Sequence, residues 1–386
     1  MPGGGMQLDE WLAQLETYSP QEIDLGLERV EVMLQRLAPD FPETVFHIAG
    51  TNGKGSTVAL LEAILRPTGK RVGCYTSPHL CRYNERIRVD GKDASDSEII
   101  AAFEKVEAVR QDVALTYFEF GTLAALLVFA ARQVEIAILE VGMGGRLDAV
   151  NAVEPTASLI SNVSLDHCDW LGDNVEDIAR EKAGVMRANK PVVYAAPEMP
   201  HTIVEEAATK GSQLIAARRD YQWSTDDEQW SWQGQDIELQ NLARPGLAGD
   251  IQLQNAAGVL ALLESAGFAA LLNREYVNQA LAQVSLTGRG QIVDNRITLD
   301  VAHNPAAAIA LAQTMSERAE EQIAVTVIGM LDDKDVAGVV APLAPLTRHW
   351  IAVTADSPRA IAATDLAQQI SAAIGKDCAT AVSMGD

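Results

Sequence analysis

The chain of 386 residues is longer than one core usually sustains, and with 48% of its residues hydrophobic it predicts a globular protein of two domains. Its 30 Lys and Arg against 53 Asp and Glu leave a formal net charge of −23. That charge argues against broad contact with nucleic acid or an anionic membrane, so any polyanionic ligand has to find local positive charge. In chain order, "ETVFHIAG" reads as a buried strand and "GKGSTVALLEAILRPTG" as the helix after it, stopped by Pro67 and Gly69. "RVGCYTS", "EIAILEVG", "TASLISNVS" and "KPVVYAA" read as further strands, with helices such as "EFGTLAALLVFAARQ" between them. This alternation predicts a parallel sheet with helices on both faces. The tryptophan-rich "YQWSTDDEQWSWQGQDIEL" alternates like a hairpin and reads as structural. After "SLTGRGQIV" the pattern restarts: strand "RITLDVA", helix "PAAAIALAQTMSERA", strands "QIAVTVIGML" and "HWIAVTAD", helix "AATDLAQQISAAIG". A domain boundary is placed near Thr287.

No apolar run reaches the roughly eighteen residues of a membrane span. The opening "MPGGGMQLDEW" lacks a basic region followed by an apolar one, so the cytoplasm is the expected compartment. Four cysteines, Cys74, Cys81, Cys168 and Cys378, show neither C-x-x-C spacing nor framework density and are expected to be packing residues.

"HIAGTNGKGST" departs from the usual phosphate-loop spacing, because only Thr51 and Asn52 separate Gly50 from Gly53-Lys54, and Gly55 separates Lys54 from Ser56. Its parts still suit a phosphate. Glycines at 50, 53 and 55 let backbone N–H groups approach an anion, and the following helix points its positive end there. Lys54 adds a point charge, and Ser56 a hydroxyl able to reach Mg²⁺. A ligand-free glycine turn is the alternative. "ILEVGMGGRLDAVN" places Glu140 at a strand end, where an α/β sheet presents ligand-binding residues and a carboxylate can hold Mg²⁺; a glutamate at the edge of the sheet paired with Arg146 is the other reading. "SNVSLDHCDWLG" adds Asp166, His167 and Asp169 after another strand.

"AGTNGKGST", "YTSPHL", "NERIRVDG", "YFEFGTL", "EVGMGGRLDAVN", "LDHCDWLG", "REKAGVMR" and "DVAHNP" together resemble the dihydrofolate synthase/folylpolyglutamate synthase family, the folate branch of the Mur ligase superfamily. The likeness runs in order from about Ile23 to the chain end. It implies an α/β fold, with a P-loop-containing parallel-sheet ATPase domain over residues 1–286 followed by a smaller Rossmann-like glutamate-ligase domain over 287–386. The implied chemistry is ATP-dependent amide ligation: a pteroate or folate carboxylate is phosphorylated, and the amine of L-glutamate attacks the acyl phosphate.

By the same resemblance, Gly53, Lys54, Gly55 and Ser56 bind the triphosphate, with Ser56 and Glu140 at one Mg²⁺. Ser77, His167 and Lys182 surround a second, Lys182 carrying a CO₂-derived carbamate. Sequence alone reads Lys182 as a helix-surface lysine. Asn255 matches the adenine contact, Arg289 a linker arginine reaching phosphate, and Asp300 a C-terminal ATP contact, with His303 near the acyl phosphate. The pterin positions are Ile23, Asp24 and Leu25; Thr116, Tyr117, Phe118 and Glu119; and Leu147, Asp148 and Ala149. Lys54, Lys182 and His303 are the expected catalytic groups. The expected substrates are ATP, dihydropteroate, folylpolyglutamates and L-glutamate, handled by a monomer.

The family's Pro-Gly-Arg-Phe linker reads here as Thr287, Gly288, Arg289 and Gly290, which predicts a looser hinge. The chain also stops before the last strand and helix expected of the C-terminal domain. A monofunctional folylpolyglutamate synthase and a Mur ligase acting on a UDP-linked precursor stay open as nearby readings. A P-loop kinase or hydrolase and an ATP-regulated binding protein are the readings from other classes.

Overall fold

A computed structural model describes residues 6–18, 24–226, 228–294, 296–318, 323–357 and 359–380. The chain divides into two compact units, residues 1–246 with 253–285, and residues 247–252 with 286–386.

The first unit is built on an eight-stranded sheet. In chain order its strands are β1 (Thr44–Ala49), β2 (Val72–Tyr75), β3 (Ile87–Val89), β4 (Lys92–Asp93), β5 (Ile136–Glu140), β6 (Ala157–Ile160), β7 (Pro191–Tyr194) and β8 (Gln213–Ala216). Their spatial order is β4-β3-β2-β5-β1-β6-β7-β8. The pairings from β2 to β8 are parallel, and β3 and β4 add an antiparallel edge. Every residue of β5 is buried, as expected of a strand covered on both faces. The helix Tyr117–Ala131 is apolar nearly all round for the same reason: its residues 119–129 are all buried.

The tryptophan-rich stretch forms three antiparallel strands rather than a hairpin: β9 (Gln222–Thr225), β10 (Gln229–Gln233) and β11 (Glu238–Ala243). Trp230 and Trp232, two residues apart on β10, share its buried face. The Trp232 indole N–H donates to the Ala257 carbonyl at 3.1 Å, fixing this sheet to the helix Ile251–Ser265.

In the second unit, β14 (Ile323–Ile328), β15 (Thr347–Ala352) and β16 (Ala379–Thr380) form a parallel sheet. Ala308, Val340, Trp350, Leu366 and Ile370 pack in its core. The "RITLDVA" segment does not join it. That segment forms β13 (Ile297–Leu299), paired antiparallel with β12 (Gln291–Val293). The cysteine expectation also changes, since only Cys74 is buried while Cys81 and Cys168 are exposed. No helix among the described residues is long and apolar enough to cross a membrane.

His47 on β1 is fully buried, and among the described residues neither ring nitrogen has a hydrogen-bond partner. Burial, and secondarily Arg187, push its imidazole down to about 3. The folded chain therefore holds His47 neutral where the unfolded chain protonates it. Stability from this group is full above the unfolded value of 6.5 and is lost as the pH falls toward 3. Urea unfolding from pH 7 to pH 4 should show the wild type losing about 3 kcal/mol more than a His47→Leu variant. Parallel pH profiles would remove His47 as the cause.

Candidate active site

Four neighbouring strands, β2, β5, β1 and β6, run parallel and deliver their C-terminal ends to one edge of the sheet. Glu140 is the last residue of β5 itself, and the segments that follow β2, β1 and β6 carry Ser77, the 50–55 glycine loop and His167 respectively.

The glycine loop is shaped by the segment after β6. Gly50 has φ 144°, and a Cβ there would lie 1.9 Å from the Ser161 Oγ. The Thr51 N–H donates to the Asn162 carbonyl at 3.0 Å, the Asn52 N–H to Asn162 Oδ1 at 3.0 Å, and Ser161 Oγ to the Asn52 carbonyl at 2.5 Å. Ser161 and Asn162 are therefore parts of the site that sequence reasoning missed. Gly53, at φ 82°, opens the helix Lys54–Leu65, and a Cβ on it would come within 2.9 Å of Asn255 Oδ1. That contact brings the expected adenine residue to the loop. Lys54 Nζ folds back on the loop, donating to the carbonyls of Gly50 at 3.1 Å and Thr51 at 3.2 Å. Gly55 and the buried Ser56 occupy the first turn, where unpaired helix N–H groups favour an anion.

Glu140 is 4% exposed and lies inside the sheet, since β5 runs between β2 and β1. The reading of it as an edge glutamate paired with Arg146 fails, because Arg146 pairs instead with Glu181 at 2.7 Å. The Ser77 N–H donates to Glu140 Oε2 at 3.3 Å, so the ends of β2 and β5 meet on this carboxylate. His167 has a left-handed φ of 50°, and its N–H donates to Asp166 Oδ1 at 2.9 Å.

Lys182 is not a surface lysine. Ending the helix Val175–Lys182, it is 4% exposed and has no ion-pair partner among the described residues. Gly145 makes this packing possible, because a Cβ there would lie 3.0 Å from the Lys182 carbonyl oxygen and 3.2 Å from its Cα. Burial, then repulsion from Lys54, pull the amine down to about 7 against the opposing pull of Asp166 and Asp148.

Among the described residues no group of three or more His, Cys, Asp and Glu is placed to hold a metal. One buried carboxylate with hydroxyls suits Mg²⁺, which keeps several waters and shares substrate phosphate oxygens, better than an ion that needs an all-protein cage.

On the substrate side, Ile23 lies outside the described residues. Arg29 joins two of the expected pterin segments: it pairs with Asp24 at 2.8 Å and with Glu119 at 2.9 Å. Glu119 also accepts from the Thr116 N–H at 2.7 Å, and Thr116 Oγ1 accepts from the Glu119 N–H at 3.2 Å. This reciprocal pair caps the helix Tyr117–Ala131. Thr116 and Glu119 thus place Tyr117 and Phe118, and Leu25 is half-buried beside Asp24. The Phe118 ring lies 5.8 Å from that of Tyr75, and a Cβ on Gly142 would meet it at 2.6 Å. An aromatic surface therefore adjoins the loop that follows Glu140. Asp148 is buried between Leu147 and Ala149 and accepts from the Met143 and Val150 N–H groups at 2.9 and 3.0 Å. Burial pushes its carboxyl up to about 6.

The remaining expected residues belong to the second unit. Asp300 accepts from the Gly290 N–H at 2.7 Å and the Ala302 N–H at 2.8 Å, so it fixes the loop that carries Arg289. His303 Nδ1 lies 2.9 Å from the Val301 carbonyl oxygen.

Glycine loop, lysine, buried carboxylate and buried second lysine at one edge of a parallel sheet define an ATP-dependent ligase of the Mur type. The Mur ligase middle domain matches residues 48–263 and the Mur ligase glutamate ligase domain residues 288–385. The dihydrofolate synthase/folylpolyglutamate synthase of Escherichia coli K12 is 41% identical over 96% of this chain and 87% of that protein. The structure of E. coli FolC in complex with DHPP and ADP superposes with a TM-score of 0.93 at 40% identity, covering 100% of this chain and 91% of that one. A bifunctional folylpolyglutamate synthase/dihydrofolate synthase with Mn, AMPPNP and L-glutamate bound gives a TM-score of 0.90 at 40% identity, over 98% of this chain and 90% of that one. The chain belongs to the dihydrofolate synthase/folylpolyglutamate synthase family.

Proposed function

We infer that the chain ligates L-glutamate to dihydropteroate and to folylpoly-γ-glutamates, converting ATP to ADP and phosphate. The observation that carries this reading is the meeting, at one sheet edge, of the glycine loop, Glu140 and Lys182 beside the aromatic surface of Phe118. Its relatives are crystallised with ADP, DHPP, AMPPNP, Mn and L-glutamate.

In the first step a carboxylate oxygen of the pteroate or folate attacks the γ-phosphorus of ATP. The bond to the bridging oxygen breaks, its electron pair leaves on ADP, and an acyl phosphate forms. In the second, the neutral amine of glutamate attacks the acyl carbon, phosphate departs, and the nitrogen gives up a proton. Gly53, Lys54, Gly55 and Ser56 cradle the phosphates, with Lys54 neutralising charge on the transferring group. Ser56 and Glu140 would hold one Mg²⁺ and Ser77, His167 and carbamylated Lys182 a second, supplying the charge neutralisation that transfer between two anions requires. Asn255 contacts adenine. Residues 1–286 form the ATP- and pterin-binding domain and 287–386 the glutamate-ligase domain, in which Arg289 and Asp300 contact ATP and His303 faces the acyl phosphate. Asp24, Leu25, Thr116, Tyr117, Phe118, Glu119, Leu147, Asp148 and Ala149 line the pterin site, with Ile23 assigned there by resemblance alone. The same reading places a monomeric enzyme in the cytoplasm.

Product analysis with ATP, Mg²⁺, glutamate and either dihydropteroate or tetrahydrofolate tests this. Glutamylated product is expected from both. Product from tetrahydrofolate alone would make the enzyme monofunctional, and ATP turnover without glutamate would point to a kinase or hydrolase.

A further inference from the structure

Arg86 belongs to none of the groups assigned above. Its Nε–H donates to His79 Nδ1 at 2.8 Å, and its guanidinium carbon lies 5.4 Å from the Tyr83 ring centroid and 5.5 Å from that of Tyr117. These partners are neutral, and they fix the guanidinium plane without cancelling its charge. The adjacent acid does not cancel it either: the Glu85 carboxylate accepts from the backbone N–H groups of Leu80, Cys81 and Arg82 at 2.7–2.9 Å. Among the described residues the Arg86 terminal nitrogens have no hydrogen-bond partner, and the side chain is only half-buried. In a chain of net charge −23, a clamped arginine without a carboxylate is poised for an external anion.

Its place in the fold narrows the class of anion. The Arg86 carbonyl accepts from the Thr76 N–H at 2.9 Å, one residue before Ser77, which donates to Glu140. Tyr117, under the guanidinium, directly precedes Phe118. Arg86 therefore adjoins both the phosphoryl-transfer edge and the aromatic surface, where the acyl donor's chain has to pass.

We propose that Arg86 pairs with a carboxylate of the acyl donor other than the one being activated, and so sets preference for glutamylated folates over dihydropteroate. The proposal rests on the ligase reading above. Dihydropteroate has a single carboxylate, which is consumed by the reaction. Tetrahydrofolate carries a second one free to form a bidentate pair with a planar guanidinium.

The test compares wild type, Arg86→Gln and Arg86→Lys, each checked for an unchanged melting curve. The ratio of kcat/KM for tetrahydrofolate to that for dihydropteroate should fall about 10- to 100-fold in Arg86→Gln, through KM, and recover in part in Arg86→Lys. Calorimetric binding of the two donors should show the same change in ratio. Because binding is read without turnover, this arm remains decisive even if the wild type makes neither product, an outcome that would sink the ligase reading instead. An unchanged ratio, or equal losses with both donors, would overturn the assignment and leave Arg86 as packing for Tyr83 and Tyr117.

Discussion

Lys54→Ala and Glu140→Gln should fold as the wild type does and lose kcat by at least about 10²- to 10³-fold each, the scale of removing one charge-stabilising group from a transition state. The expectation of intact folding comes from their contacts. Lys54 Nζ donates to two loop carbonyls, Gly50 and Thr51, in a half-buried loop. Losing bonds of that kind costs about 1 kcal/mol each. Glu140→Gln keeps an oxygen to accept from the Ser77 N–H and removes only the charge. Buried in the sheet's interior, that charge has no counter-ion in Arg146, which pairs with Glu181. A carboxylate at the end of a parallel strand, beside a phosphate-binding loop, is placed to meet a ligand cation. ADP release in a coupled assay and urea unfolding in parallel would check both halves. Wild-type turnover by either well-folded variant would remove that residue from the chemistry.

The strands and helices that build this edge were legible because they are buried on both faces: the largely apolar stretches at β1, β5, β6 and β7 leave little choice of structure. The glycine loop was legible as well, since glycine at 50 and 53 answers to positive φ in the fold. Residues that act through polar contact with distant segments were not. Arg29 stands in a short amphipathic helix and looks like a solvated charge, yet it ties Asp24 to Glu119, 90 residues away. Ser161 and Asn162 carry no pattern of their own and matter only because β6 pairs with β1. One signal was available for Glu119: Thr116-x-x-Glu119 before an apolar run is a capping box. β13 was legible as a strand, but its partner was not, for a local reason. Asp294, at φ 51°, marks the turn that folds "RITL" back on β12, and a strand pattern alone does not name its partner.

Lys182 should carry a carbamate, and Lys182→Ala should lose essentially all activity, with partial recovery when a short carboxylic acid is added. Carbamate formation needs a neutral amine. The nitrogen lone pair attacks the carbon of CO₂, one C=O electron pair moves to oxygen, and the nitrogen releases a proton, so a cation becomes an anionic oxygen donor. An ordinary lysine is neutral in roughly one molecule of a few thousand at pH 7. With burial and Lys54 holding Lys182 near 7, roughly half of the amines are neutral there. The sign of the pH effect follows: the unmodified amine becomes less reactive as the pH falls below about 7, and the carbamate itself is lost on acidification. Burial also supplies the motive, because a lysine 4% exposed without an ion-pair partner among the described residues is costly as a cation. As a carbamate it would meet Lys54 as an opposite charge. ¹³C-bicarbonate labelling followed by NMR should show one carbamate carbon in the wild type and none in Lys182→Ala. Dialysis against CO₂-free buffer should lower activity, and bicarbonate should restore it. Lys54→Ala, by removing the repulsion, should raise the Lys182 pKa and weaken the carbamate signal at pH 7. A fully active enzyme without that signal, or an Ala variant with normal turnover, would return Lys182 to a purely structural place at the end of its helix.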